Sequence, residues 1–124
     1  LAMLTALLGT PYLPDFTGAI LAIEDVNEEP YRVDRMLTQL ALSGILGRLS
    51  GLVVGRFTRT RDTDGKDENV ILARIRELSA RFGLPAIGPC PFGHIDDNHA
   101  LPEGGLVELD ADAGRLTLLS PIVR

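Results

Sequence analysis

The stretch Ala19-Ile20-Leu21-Ala22-Ile23-Glu24-Asp25 decides the fold class of this chain. Its unbroken apolar run has the length of a strand that is buried on both faces, which is typical of a parallel sheet. The two carboxylates are predicted to end this strand. A helix is predicted next, because Pro30 suits a first helical position and apolar residues then recur at helical spacing. These residues are Val33, Met36, Leu37, Leu40 and Ala41.

The same order of strand and helix recurs further along the chain. Residues 52–54 form a second apolar run, and the polar residues 58–68 after it indicate an exposed loop. The next predicted helix ends at Gly83 and cannot continue through Pro85. Its apolar stripe consists of Ile71, Ile75, Leu78 and Phe82. Two strand–helix units in succession favour an α/β domain.

Shorter elements are predicted at the two ends of the chain. Residues 1–8 have the spacing of a short helix, and residues 86–87 are predicted to form a short strand before a structured loop at 88–101. Residues 106–109 and 116–119 are predicted to pair as a hairpin. The sequence therefore predicts a single α/β domain over all 124 residues, with a mixed sheet and two main helices.

Composition limits the classes of partner. The net charge of −5 argues against nucleic acid and anionic membrane, which both select basic patches. No apolar run approaches the roughly 18 residues that a membrane span needs. Cys90 is the one cysteine, which fits a reducing compartment. Because the chain opens on apolar Leu1 without a basic region, we expect no signal peptide and a segment upstream.

Two residues are candidates for acid–base chemistry. Glu24 follows an apolar strand directly, and ligands bind at the carboxyl ends of strands in open α/β sheets. A carboxylate there can orient a histidine, or it can simply be solvated. His94 follows Gly93 within the predicted loop, and histidine is the usual general base near neutral pH. It can equally be a structural histidine that bonds to its own loop.

The sequence offers no convincing nucleophile. None of its serines lies in a G-x-S-x-G elbow, and none has the exposed sharp-turn setting that a nucleophile needs. They are Ser43, Ser50, Ser79 and Ser120. Cys90 precedes His94 by four residues, so a Cys–His pair is conceivable. We interpret Cys90, which lies between two prolines, as an inert packed thiol.

A metal site is the competing interpretation of the same loop. His99 lies beside Asp96, Asp97 and Asn98, and histidine with carboxylate can bind zinc or a harder cation. The spacing from His94 to His99 matches no recognised ligand motif, and no HExxH is present. A solvated acidic turn therefore remains the preferred interpretation, without metal or cofactor.

Five segments occur along the chain in this order: LGTPYLPDF (8–16), GAILAIEDVNE (18–28), PYRVDRMLTQL (30–40), GLVVGRF (51–57) and PFGH (91–94). Taken together, they resemble the C-terminal domain of the LD-carboxypeptidases. This serine peptidase family includes the muramoyltetrapeptide carboxypeptidases and the microcin C immunity peptidases. The resemblance covers nearly the whole chain.

The resemblance implies a fold and a set of roles. The fold would be a swivelling β/β/α-like domain. The activity would be that of a serine carboxypeptidase acting before a terminal D-alanine in muropeptide tetrapeptides, in the cytoplasm and as a homodimer. Its Ser-Glu-His triad would match Glu24 as the acid and His94 as the base, with Glu28 as second choice for the acid. The serine would belong to an N-terminal domain that this chain lacks.

Three alternatives remain open at this stage. The substrate could be a peptide-nucleotide of the microcin C type rather than a muropeptide. The domain could be a binding module in which Glu24 and His94 no longer catalyse. It could also bind metal through His94, His99 and Asp96. Alone, the chain is predicted to have no peptidase activity, because it lacks a nucleophile.

Overall fold

The computed structural model describes residues 1–61 and 64–120. Three parallel strands form the central sheet in the order β1-β2-β3. They are β1 (Ile20–Val26), β2 (Gly51–Thr58) and β3 (Ala86–Ile87). The helices are α1 (Ala2–Ala6), α2 (Pro30–Leu42) and α3 (Lys66–Phe82), with a short 3-10 turn at Leu46–Arg48. An antiparallel hairpin follows, made of β4 (Val107–Asp110) and β5 (Arg115–Leu118).

Helices α2 and α3 cover one face of the parallel sheet. Each presents an apolar stripe that is almost completely removed from solvent. The stripes consist of Val33, Leu37 and Leu40 on α2, and Ile71, Leu72, Ile75 and Leu78 on α3. They pack in one cluster with strand residues that include Ile23, Leu52, Val54 and Phe57. This cluster is the main hydrophobic core, and its burial stabilises the parallel sheet in which β1 and β2 end.

The hairpin covers part of the opposite face. Val53 and Ile87 of the sheet pack there with Phe92, and partly buried Leu109 and Leu116 of the hairpin join them. Leu109 lies so close above Gly51 that a Cβ at that glycine would be 2.5 Å from its side chain. The molecule therefore has three layers, in the order hairpin, parallel sheet and helices.

The predicted α/β class and the two main helices are confirmed. The mixed sheet needs a correction, because the parallel and antiparallel pairings lie in two separate sheets in the described part of the chain. The hairpin packs by its side chains on the face of the parallel sheet rather than by hydrogen bonds along its edge. The predicted hairpin itself and the short third strand are both present.

Three predicted boundaries are wrong. Strand β1 continues through Glu24 and Asp25 to Val26, because both acids have partners: the Asp25 carboxylate accepts the Ala2 N–H at 2.7 Å. The polar loop is shorter than predicted, since Thr58 belongs to β2 and α3 begins at Lys66. Residues 62 and 63 of that loop lie outside the described residues. Helix α1 ends at Ala6 rather than at residue 8.

Candidate active site

Glu24 and His94 are hydrogen-bonded to each other across 70 positions of sequence. The His94 Nδ1 lies 2.8 Å from the Glu24 Oε2. Because an ionised carboxylate can only accept, Nδ1 carries the proton in this pair, and in the neutral form of the ring the lone pair is then on Nε2. The imidazole is 53% exposed and the carboxylate 29%. The free ring nitrogen can therefore meet a group from outside this chain.

An irregularity in the parallel pairing accompanies Glu24. Ile23 lies opposite Val54, whereas Asp25 lies opposite Phe57, so two steps along β1 match three along β2. The extra residue of β2 lies within Gly55 and Arg56. Such bulges re-aim side chains and are frequent beside functional sites. Glu24 lies at this break in the register, near the carboxyl end of β1.

The loop that carries His94 is fastened to β2 by main-chain hydrogen bonds. The Cys90 N–H donates to the Val54 carbonyl at 2.8 Å, and the Arg56 N–H donates to the Phe92 carbonyl at 3.0 Å. The Phe92 side chain is buried against the sheet. Together these contacts place the segment that follows β3 next to Glu24.

Two glycines permit the close approach of loop and strand. Gly93 has φ +120°, and a Cβ there would lie 3.0 Å from the Glu24 Oε2 and 3.3 Å from the Arg56 carbonyl oxygen. At Gly55 a Cβ would lie 2.6 Å from the Phe92 ring. Such contacts would force the backbones apart, so the Glu24–His94 bond depends on both glycines.

Glu28, the second choice for the acid, has a different partner. Its carboxylate lies 3.8 Å from the Arg32 guanidinium, one helical turn along. Within the described residues, Glu24 is the carboxylate that reaches His94. The structure thus gives different partners to the two acids that the sequence left as alternatives.

The other candidate groups of the loop do not converge on His94. Burial raises the pKa of the Cys90 thiol, which favours its protonated and unreactive form. His99 is exposed, with its ring 4.0 Å from Asp97. No group of three or more histidine, cysteine, aspartate or glutamate residues within residues 1–61 and 64–120 could hold a metal ion. The metal interpretation through His94, His99 and Asp96 therefore has no cluster to rest on.

The hydroxyls of two serines are engaged in local bonds. Ser43 Oγ donates to the Leu40 carbonyl at the end of α2. Ser79 is buried on α3, where its Oγ donates to the Leu84 carbonyl. Ser50 is exposed next to β2, and Ser120 follows the hairpin. The structure gives no serine contact to His94 among the described residues.

Sequence reasoning missed an ion pair that links β2 to α3. Arg56 donates to both Glu68 oxygens, at 2.8 Å from Nε and 2.9 Å from Nη2, and the Phe57 N–H donates to Glu68 Oε1 at 3.0 Å. The Arg56 guanidinium holds the pKa of Glu68 below its usual value. A strand arginine and a helix acid twelve positions apart leave no periodic signal, so only the fold reveals this pair.

The charged segment and the loop contain two further side-chain contacts that the sequence did not indicate. Thr58 Oγ1 donates to the His94 carbonyl at 3.1 Å, and the Gly93 N–H donates to Asn98 Oδ1 at 3.0 Å. The sequence indicated Asn98 only as a neighbour of a possible metal ligand. In the part of the chain that the structure describes, no helix has the length and apolar character needed to cross a membrane.

Comparison with known proteins places the chain in a family. The sequence pattern of the LD-carboxypeptidase C-terminal domain matches residues 1–109. The chain belongs to this family. It spans about two fifths of the length of several relatives that it matches, and about a quarter of others.

Three relatives illustrate the similarity. The solved structure of a muramoyltetrapeptide carboxypeptidase from Oxalobacter formigenes is 41% identical, with a TM-score of 0.77 over 93% of this chain and 40% of its own. The murein tetrapeptide carboxypeptidase of Pseudomonas aeruginosa is 34% identical over 113 residues, which are 90% of this chain and 35% of that protein. The wild-type apo microcin C7 self-immunity protein MccF is 20% identical, with a TM-score of 0.82 over all of this chain and 37% of its own. The last similarity shows the fold alone.

Proposed function

We propose that this chain is the acid- and base-bearing part of a serine carboxypeptidase that hydrolyses the L-D bond before the terminal D-alanine of muropeptide tetrapeptides. The single observation that carries the proposal is the 2.8 Å bond from His94 Nδ1 to Glu24, which does not use Nε2 and belongs to a ring that is 53% exposed. This is the arrangement in which a histidine takes a proton from a nucleophile while a carboxylate holds its tautomer.

Each residue has one role in this reaction. His94 Nε2 accepts the serine proton as the hydroxyl attacks the scissile carbonyl, and it passes that proton to the leaving D-alanine amine, which leaves an acyl-serine. His94 then takes a proton from the water that attacks this ester and gives it to the departing serine oxygen. Glu24 keeps the proton on Nδ1 and stabilises the imidazolium that forms during the attack. The serine comes from a separate domain of the full-length protein, so the chain alone releases no D-alanine.

The choice of a muropeptide follows the sequence identities. The relatives with murein or muramoyl tetrapeptide in their names are 34% and 41% identical to this chain. The microcin-related structure, at 20%, supports a common fold only. We further propose a homodimer acting in the cytoplasm in cell-wall peptide recycling, which fits a chain with one cysteine. The excess of acidic residues disfavours nucleic acid and anionic membrane as partners.

The experiment compares the hydrolysis of two substrates by the full-length protein. Murein tetrapeptide is assayed by release of D-alanine and a peptide-nucleotide of the microcin type by release of its nucleotide part, and kcat/KM is measured for each. We expect the tetrapeptide to be the better substrate. A preference for the peptide-nucleotide would transfer the proposal to self-immunity, and failure to cleave either would favour a binding module.

A matched pair of variants tests which acid serves His94. Glu24→Gln keeps the shape of the side chain but loses the charge that stabilises the imidazolium, so we expect kcat to fall by about 10³–10⁴-fold. Glu28→Gln changes the neighbouring acid in the same way and is expected to retain activity within about threefold. Equal losses in the two variants would refute the assignment of Glu24.

A further inference from the structure

Main-chain hydrogen bonds between the His94 loop and β2 reach only as far as Phe92. Beyond it the loop has main-chain bonds to itself: the Ile95 N–H donates to the Gly93 carbonyl at 3.0 Å and the His99 N–H donates to the Pro91 carbonyl at 2.8 Å. The Arg56 N–H to Phe92 carbonyl bond is the last strand-like contact, and the chain then turns away through Gly93 with its φ of +120°. The side chains of Asp96, Asn98 and His99 that follow are exposed. Apolar burial therefore cannot fix the backbone of His94, and polar contacts must do so.

Besides these main-chain bonds within the loop, two side chains contact the backbone on either side of the His94 Cα. Asn98 Oδ1 accepts the Gly93 N–H at 3.0 Å, and Thr58 Oγ1 donates to the His94 carbonyl at 3.1 Å. We call these two side chains, Thr58 and Asn98, the His94 clamp. The two residues are far apart in sequence, and each contacts the main chain of the loop rather than the imidazole ring of His94.

Thr58 also touches the segment that carries Glu24. Its main-chain carbonyl accepts the Asn27 N–H at 2.9 Å, and Asn27 directly follows β1 with a φ of +61°. One residue thus joins the exit of the Glu24 strand through its carbonyl and the backbone of His94 through its hydroxyl. The relative position of the two halves of the Glu24–His94 pair depends on it.

We propose that the His94 clamp sets the position of the imidazole, with Thr58 and Asn98 acting as positioning residues for the reaction of the proposed function. Without the clamp the loop stays attached at Phe92, but the His94 ring is no longer held at 2.8 Å from Glu24. A ring that is released exchanges between its two tautomers, and only the tautomer with the proton on Nδ1 can act as a base through Nε2.

The test reads the tautomer directly in this chain, so it does not depend on activity. Long-range proton–nitrogen NMR spectra at one fixed alkaline pH report the ring nitrogens of the two histidines in the sequence. The Glu24→Ala variant defines the shifts of a released His94. We expect Thr58→Val, which keeps the shape but loses the hydroxyl, to move the His94 nitrogens at least half of the way to those values. Thr58→Ser should stay near the wild type, and His99 provides an unchanged internal reference.

A second pair of variants covers the case in which Thr58→Val does not fold. Asn98→Ala removes the acceptor of the Gly93 N–H, whereas Asn98→Asp retains one, so the first should release His94 and the second should not. Wild-type ring shifts in folded Thr58→Val or, where that variant does not fold, in Asn98→Ala would overturn the proposal.

In the full-length enzyme the same variants separate positioning from a general structural role. We expect Thr58→Val to lower kcat by about 10–100-fold with KM within about threefold, since a small misplacement of a reacting group is costly. Thr58→Ser should restore kcat. If the NMR spectra show the expected release of His94 but neither the wild type nor any variant cleaves the tetrapeptide, the role of the His94 clamp is retained and the proposed function is refuted. A released ring combined with an unchanged kcat in Thr58→Val would contradict the positioning role.

Discussion

At the scale of single residues, the chemistry of the site depends on how closely two backbones approach. The Glu24 carboxylate and the His94 ring meet because Gly93 and Gly55 have no side chains in the space between strand and loop. The bond is partly exposed, so its strength comes from geometry and charge rather than from burial. Small changes of backbone position are therefore expected to weaken this bond.

Replacement of Gly93 by alanine tests this dependence. The new Cβ would lie 3.0 Å from the Glu24 carboxylate in a backbone conformation that disfavours L residues, and we expect a loss of about 2–3 kcal/mol in the free energy of unfolding. Gly104→Ala is the matched control, because Gly104 also has a positive φ but no heavy atom within 4 Å of the added Cβ. We expect Gly104→Ala to lower the free energy of unfolding by about 1 kcal/mol. Urea denaturation of both variants measures the difference, and equal losses would show that contact with Glu24 contributes nothing.

At the scale of elements, the Arg56–Glu68 pair holds the start of α3 against the end of β2. Glu68 is 15% exposed and accepts three hydrogen bonds, which explains how an acid of the first helical turn is kept against a strand. The same strand end supplies the Arg56 N–H and the Thr58 hydroxyl that hold the His94 loop. We therefore expect loss of the Arg56–Glu68 ion pair to disturb the position of the His94 loop through β2.

The pair makes stability depend on pH in a defined direction. Because the folded pKa of Glu68 is lowered, its contribution is present above the pKa of an unfolded glutamate, about 4.3, and is lost as the pH falls through the lower folded value. We expect Glu68→Gln to lower the free energy of unfolding by about 1–2 kcal/mol near pH 7, and the difference from wild type to close below about pH 4. Glu77→Gln, which removes an exposed partner of Arg74, is the control with a small effect at every pH. A Glu68→Gln difference that does not change with pH would contradict this account.

Helix α2 offers a comparison between core and surface two residues apart. Leu40 is 0% exposed and Leu42 is 85% exposed on the same helix. Leu40→Ala should cost about 2–5 kcal/mol because it removes buried methyl groups and leaves a cavity, whereas Leu42→Ala should change stability by less than about 0.5 kcal/mol. Thermal or urea unfolding measures both. A large loss at Leu42 would mean that its side chain is covered in solution.

At the scale of the whole molecule, the apolar runs predicted the architecture better than the charged segments did. The strands at 19–23 and 52–54 follow from their unbroken apolar runs, although Ala22 of β1 is exposed. Both main helices follow from helical spacing, because burial of one helix face imposes a period on the sequence. The strand extension through Glu24 and Asp25 could not be predicted, since it depends on partners far away in the chain. The separation of the hairpin from the parallel sheet likewise depends on the packing of Leu109 on Gly51.

The candidate site likewise contains residues that the sequence could predict and residues that it could not. Glu24 and His94 could be chosen from strand-end chemistry and from resemblance to a family with known motifs, and the structure brings them together. The sequence alone does not decide between Glu24 and Glu28, because both lie close to the predicted end of the strand. Thr58, Asn98 and the Arg56–Glu68 pair were missed, because side chains that hold a backbone leave no pattern in a single sequence.

The most direct measurement of the central claim is kcat/KM for D-alanine release from murein tetrapeptide by full-length His94→Gln and His99→Gln enzymes. The two histidines lie in one loop, and only the ring of His94 contacts Glu24. We expect His94→Gln to lose at least about 10³-fold, since the base that activates the serine is gone, and His99→Gln to remain within about threefold of wild type. Comparable activity in both variants would contradict the assignment of His94 as the catalytic base.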